Sequence, residues 1–267
     1  MSAPTAPTAA APAGPVDRLA LSRYLIGLGD DALILSHRLA EWITRAPQLE
    51  EDMALANISL DLLGQARTLL GYAGELEGRG RDEDDLAFLR SEREYRNLQI
   101  VEIDNGDFAV TIARQLIFSA YQFELYTALD AAADETVGGL AAKAVKEVAY
   151  HRDHATQWTL RLGDGTAQSH RRMQAALDAT WPYVEEIFDP TDIAGELAAL
   201  PGVAVDPSTL RAGWTAFVRP VLVEATLAEP APHRRTRGGR QGLHTERLGH
   251  LLAEMQSLHR AHPGASW

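Results

Sequence analysis

RLALSRYLIGLGDDALILSHRLAEW, residues 18–42, decides the fold. Leu21, Leu25, Leu28, Ala32, Leu35, Leu39 and Trp42 fall three or four apart along it, which makes one apolar stripe on a helix. The pattern predicts a helix over residues 18–46, ended by Pro47. Residues 48–77 repeat the pattern with Leu55, Ile58, Leu62, Gln65 and Leu69, then run out into Gly74, Gly78 and Gly80. A break of one proline between two such helices predicts an antiparallel hairpin. A third helix starts from a cap in Asn105-Gly106-Asp107 and runs to about residue 132, carrying Phe108, Ile112, Leu116, Phe123 and Tyr126. A fourth spans residues 134–162 and stops at Gly163-Asp164-Gly165. Its stripe is Leu140, Ala144, Val148, His151, Ala155, Trp158 and Leu162. The charged stretch between residues 79 and 105 joins the two helical pairs as a crossover, with a short helix near 83–100.

Two hairpins of long amphipathic helices joined by a crossover are the layout of an all-α, ferritin-like four-helix bundle. Each helix carries a carboxylate near its middle: Asp31, Asp61, Glu124 and Glu147. A di-iron member of that class needs Glu-x-x-His on two helices, because an i, i+3 pair points both ligands to one side. None of the nine His has Asp or Glu three places before it. The second helix offers Asp61-x-x-Gly64 and Leu62-x-x-Gln65. The fourth offers Glu147-x-x-Tyr150, with His151 one residue late. That slip turns the side chain by about 100° around the helix. No metal-ligating, catalytic or cofactor-binding residue is therefore assigned in this chain. Asp31, Asp61, Gln65, Glu124, Glu147 and His151 stand as degenerate di-iron positions. Lys143, one turn before Glu147, and Lys146 are the chain's only lysines among 25 basic residues. Either ammonium could replace a metal's charge, or both could be solvated surface groups. His151-x-x-His154 and His259-x-x-His262 have ligand spacing but no carboxylate to complete a set, and are expected to be structural.

The composition of 267 residues, 46% hydrophobic and 23% charged, suits one domain over residues 18–267. Its core would be the bundle at 18–163, with added helices over 166–261. Those helices are expected from Thr166 to Phe188, from Pro207 to Leu227 with a kink at Pro220, and from Leu243 to Arg260. Residues 1–17 form an Ala/Pro-rich lead expected to be disordered. A net charge of −12 argues against nucleic acid and anionic membrane as partners. No apolar run approaches the roughly 18 residues of a membrane span. The absence of Cys fits a reducing cytoplasm and removes thiolate chemistry. Arg234, Arg235, Arg237 and Arg240 make a local basic loop able to hold phosphate, a CoA tail or an acidic partner.

Five segments carry a resemblance to a known family. They are YLIGLGDDALILSHRLAEW (24–42), MALANISLDLLGQAR (53–67), DNGDFAVTIARQ (104–115), AAKAVKEVAYH (141–151) and GLHTERLGHLLAEMQ (242–256). In this order they resemble the C subunits of the bacterial phenylacetyl-CoA ring 1,2-epoxidases, over nearly everything after residue 17. The resemblance implies a ferritin-like subunit of phenylacetate catabolism that has lost its metal ligands. It implies a catalytic A subunit holding the di-iron centre, a small B subunit, and a reductase using NADPH, FAD and a 2Fe-2S cluster. It also implies that phenylacetyl-CoA lies near the shared interface. The present chain would be a non-catalytic structural subunit supporting the A subunit. Two other readings stay open: an active di-iron monooxygenase with irregular ligands, and an acyl-CoA-binding helical module using the basic loop.

Overall fold

The computed structural model describes residues 16–231 and 236–265, and every regular element among them is helical. The order is α1 (Arg18–Ala40), α2 (Leu49–Glu77), α3 (Glu83–Phe88), α4 (Gln99–Glu102), α5 (Phe108–Leu129), α6 (Glu135–Gly163), α7 (Ala167–Thr180), α8 (Val184–Ile187), α9 (Ala194–Ala199), α10 (Arg211–Glu224) and α11 (Glu246–Ala261). The expected lead falls mostly on residues 1–15, which lie outside the described residues, as do Arg234 and Arg235.

Capping explains where the long helices begin. Asp17 accepts from the amides of Leu19 and Ala20 at the start of α1. Asp107 and Asp134 do the same for Val110 of α5 and Val137 of α6. Each carboxylate satisfies an orphan donor and opposes the positive end of the helix dipole. At the far end of α2, Gly78 adopts φ 70°, a left-handed cap that a side chain disfavours.

α1 and α2 form one tight hairpin. A Cβ at Gly29 would stand 2.8 Å from Leu70, so glycine sets how closely the two axes approach. Ser36 Oγ donates to the Ser59 carbonyl and Ser59 Oγ donates to that of Ser36, each at 2.8 Å. α5 and α6 form the second hairpin, and α2 lies alongside α6. The connection carrying α3 and α4 passes over α1. α7 and α10 pack on α5 and α6, where the Trp214 indole donates to the Ile117 carbonyl at 2.9 Å. α11 lies on α3.

Two boundaries differ from the sequence pattern, and one short helix has no counterpart in it. α1 stops at Ala40, before Pro47, because Asp52 in the first turn of α2 captures the amides of Thr44 (3.0 Å) and Ala46 (3.4 Å). Thr44 accordingly takes φ 70°. α7 ends at Thr180 because Pro182 lacks the amide hydrogen the helix would need; a tight turn at Trp181–Tyr183 then leads into α8. α9 was not marked by any apolar periodicity. Pro220 lies inside α10, which continues past it to Glu224.

Candidate functional site

The bundle's polar layer lies between α2 and α6, which face each other over much of their length. Three rungs cross the gap. His154 Nε2 lies 2.7 Å from Glu51 Oε2, and His151 Nε2 lies 3.0 Å from Asp61 Oδ2. The Gln65 amide donates to Glu147 Oε2 at 3.0 Å. Tyr126 of α5 completes the layer by donating its hydroxyl to Gln65 Oε1 at 3.2 Å. Both ends of the Gln65 amide are therefore used, which fixes its orientation. Burial holds the Tyr126 phenol protonated, well above the usual tyrosine range. Lys143 Nζ stands 3.2 Å from Glu147 Oε1, with its side chain 75% exposed.

This geometry sorts the eight degenerate positions. Asp61, Gln65, Lys143, Glu147 and His151 come together. Asp31, Glu124 and Lys146 do not. Asp31 is bonded elsewhere: it accepts from the Leu98 amide at 2.7 Å and from Arg240 Nη2 at 2.6 Å. Burial pushes its carboxyl up to about 6, against the pull of Arg240. Glu124 turns toward α10, filling the space that a side chain at Gly213 would need. Lys146 is exposed. An arginine rather than a lysine neutralises the buried acid of α1, because Arg240 reaches it from the far end of the chain.

Asp61 and Glu147 are joined to His151 and Gln65 by hydrogen bonds between side chains. Among the described residues no group of three or more His, Cys, Asp or Glu is placed to hold a metal ion. The His151–His154 pair sits in the core with a carboxylate on each Nε2, while the buried Nδ1 of each ring has no hydrogen-bond partner.

Four further buried acids or bases escape a reading by helix stripe. Asp30 is fully buried and is held by Arg90, with one nitrogen at 3.0 Å, and by the Arg96 amide at 2.8 Å. Glu102 is fully buried and accepts from Asn97 Nδ2 at 2.9 Å, from the Thr245 amide, and from His244 Nδ1 at 2.8 Å. Burial lowers the His244 pKa, but the bond and charge of Glu102 outweigh it and leave the imidazole raised. Glu186 accepts from the amides of Gln99 and Gly239, both at 2.9 Å, and burial pushes it up to about 7. The one available signal was the doublet Asp30-Asp31 on an otherwise apolar helix, which demands two cations from elsewhere in the chain.

A cavity of about 230 Å³ adjoins this network, with Tyr24, Tyr121, Glu186, Arg96, Arg237 and Arg240 in its wall. Two described arginines of the basic loop reach its wall. Arg240 is committed to Asp31, to the Gly27 carbonyl and to the Arg96 carbonyl. Arg237 lies 3.6 Å from Asp189.

Comparison with known proteins places the chain. A profile described as "Phenylacetic acid catabolic protein" matches residues 5–267. The C subunit of the 1,2-phenylacetyl-CoA epoxidase of Escherichia coli (strain K12) is 50% identical over 247 residues, covering 92% of this chain and 99% of that protein. Among solved structures, a protein from Synechococcus described as having aldehyde deformylating oxidase activity superimposes with a TM-score of 0.56. It shares 18% identity and covers 79% of this chain and 92% of its own, a likeness of fold. With the all-α ferritin-like bundle, the profile match over residues 5–267 and half of the aligned residues shared with the C subunit of an epoxidase, the chain belongs to the phenylacetic acid catabolic protein family.

Proposed function

We propose that this chain is a non-catalytic structural subunit of a multicomponent phenylacetyl-CoA 1,2-epoxidase, supporting a homologous di-iron catalytic subunit in the cytoplasm. One observation carries the reading. The polar layer of the bundle is cross-linked through its own side chains: Asp61 with His151, Gln65 with Glu147 and Tyr126, Glu51 with His154. Such a layer holds helices in register, and a metal ion would have to displace its bonds to enter. The di-iron, FAD, 2Fe-2S and NADPH chemistry belongs in this reading to partner subunits, and the assembly also includes a small B subunit.

Arg240 argues against an acyl-CoA-binding module built on the basic loop, since its guanidinium is spent on Asp31 and two carbonyls. The displaced positions of Asp31 and Glu124 argue against an oxygenase with irregular ligands. Elemental analysis decides between the structural role and an oxygenase. The chain purified alone after growth with excess iron is expected to hold well under one iron per chain and to consume no oxygen. Near-stoichiometric iron that disappears in Asp61→Ala would end the structural reading.

A further inference from the structure

We infer that the outward face of α2, with the groove it forms against α6, is where two copies of this chain pair, antiparallel and about a two-fold axis. The pairing goes beyond the structural-subunit role and does not depend on it.

α2 carries two apolar faces. One enters the core. The other presents Leu49, Met53, Leu60 and Leu63 to solvent, at 71%, 60%, 64% and 42% exposure. At 100° per residue these four lie within about 80° of one another, on a stripe roughly 21 Å long. Leu89, Val223 and Leu258, elsewhere in the fold, are exposed singly. Single exposed residues need no explanation, but a contiguous stripe on one helix marks an interaction surface.

The stripe is complementary to itself. The point midway between Leu49 and Gly64 is also midway between Met53 and Leu60. A two-fold axis crossing α2 there, at residues 56–57, sets Met53 of each copy against Leu60 of the other and Leu49 over Gly64. Gly64 has room for a leucine: nothing stands within 4 Å of where its Cβ would be. It opens into a depression of about 250 Å³ walled by Thr68, Gly139, Leu140 and Lys143.

Charge fixes the direction of the pair. Glu50 lies about 20° from Asp61 around α2, and Asp61 meets His151 of α6, so Glu50 is on the α6 side. An axis lying across the stripe keeps the α6 side of one copy against that of the other. Glu50, in the first turn of α2, therefore comes to the far end of the other copy's helix, where α6 carries Lys143 and Lys146, the only lysines of the chain. Glu50 and Lys146 are both exposed, and neither has an ion-pair partner among the described residues. A parallel pair would instead set the acidic turn Glu50-Glu51-Asp52 against its own copy. Within one chain Glu50 and Lys146 stand about 22 Å apart along α2, because Lys146 adjoins Glu147, which bonds Gln65. Any coupling between them is thus a contact between copies.

Analytical ultracentrifugation of the purified chain alone, over about 1–100 μM, tests the pairing. Wild type is expected to dimerise. Leu60→Glu and Met53→Glu are each expected to weaken the dimer at least about 30-fold, since the symmetry repeats each loss. Glu50→Lys and Lys146→Glu are each expected to weaken it several-fold, most at low salt, and the double variant is expected to recover the wild-type dimer. This charge swap, at two surface positions, reads the same contact if a glutamate on the stripe disturbs folding in thermal melts. Leu258→Glu on α11 is expected to leave the dimer unchanged. A dimer that survives both Leu60→Glu and Met53→Glu overturns the face. A charge swap that restores nothing overturns the antiparallel register. A chain that stays monomeric throughout overturns the pairing; if it then captures a different co-expressed subunit, and loses it with Leu60→Glu, the face belongs to that partner. None of these outcomes bears on iron content, by which the structural-subunit reading is decided.

Discussion

Asp31 and Arg240 are separated by 209 residues in sequence and by 2.6 Å in space. Their pair shows how a buried acid is tolerated and what its removal would do. The carboxyl sits at about 6 rather than near 4, so burial outweighs the arginine beside it. Taking the arginine away leaves an acid in the core with only the Leu98 amide. Arg240→Met is expected to cost about 3 kcal/mol, the range seen when one partner of a buried pair is lost. The double variant with Asp31→Leu should cost less than the sum of the two single changes. Urea unfolding of the four proteins in a double-mutant cycle measures the coupling. Glu186 supplies a pH signature of its own. Its native pKa of about 7 lies above the usual 4.5, so the folded state binds the proton more tightly than the unfolded chain. Its contribution is greatest below about pH 4.5 and declines as pH rises to about 7. Wild type should therefore lose more stability between pH 5 and 7.5 than Glu186→Gln, by about 1–3 kcal/mol. Equal slopes in urea midpoint against pH would show that Glu186 does not titrate in that window.

Helices are held at their ends as much as along their faces. α6 terminates where Gly163 meets the chain beyond α10: a Cβ there would overlap the Ala225 carbonyl oxygen and stand 2.8 Å from the Ala225 side chain. Backbone cannot move aside as a flexible side chain does. Gly163→Ala is expected to cost about 1–3 kcal/mol, a melting temperature several degrees lower by calorimetry, with helix content unchanged. The four bundle helices were legible because each follows a local rule, an apolar stripe at 3.6-residue spacing, with Asp caps opening α1, α5 and α6 and a glycine closing α2. The limits of α1 were not, because Asp52 reaches back from the next helix to end it. The missing Glu-x-x-His was legible too, since ligand pairing on a helix is a matter of spacing. What fills the space was not. Asp30 and Asp31 are neighbours in sequence, but helical geometry sends them about 100° apart, to Arg90 and Arg240. Nothing local to either acid names its partner.

Across the whole molecule, the segment after α10 neutralises acids that the bundle and its connections bury. Arg240 serves Asp31, the Gly239 amide serves Glu186, and His244 with the Thr245 amide serves Glu102. Gln256 of α11 donates to the carbonyls of Ala87 at 3.1 Å and Arg90 at 3.0 Å, tying down the connection that holds Asp30. A chain ended at Ala228 keeps all four bundle helices with their hydrophobic faces intact. It also leaves three buried carboxylates short of donors. Each unsatisfied group costs about 1–3 kcal/mol, and together they approach the 5–15 kcal/mol by which a domain of this kind is stable. The truncated chain is therefore expected to keep much of its far-UV helical signal while losing the near-UV signal of its packed aromatics and its sharp thermal transition. Adding Asp31→Asn, Glu102→Gln and Glu186→Gln to the truncation should restore part of the cooperativity, because neutral amides lift the charge cost without replacing the lost packing of α11. A truncated wild-type chain that melts sharply near the full-length temperature would show instead that the bundle carries its own acids, and that the C-terminal segment only covers them.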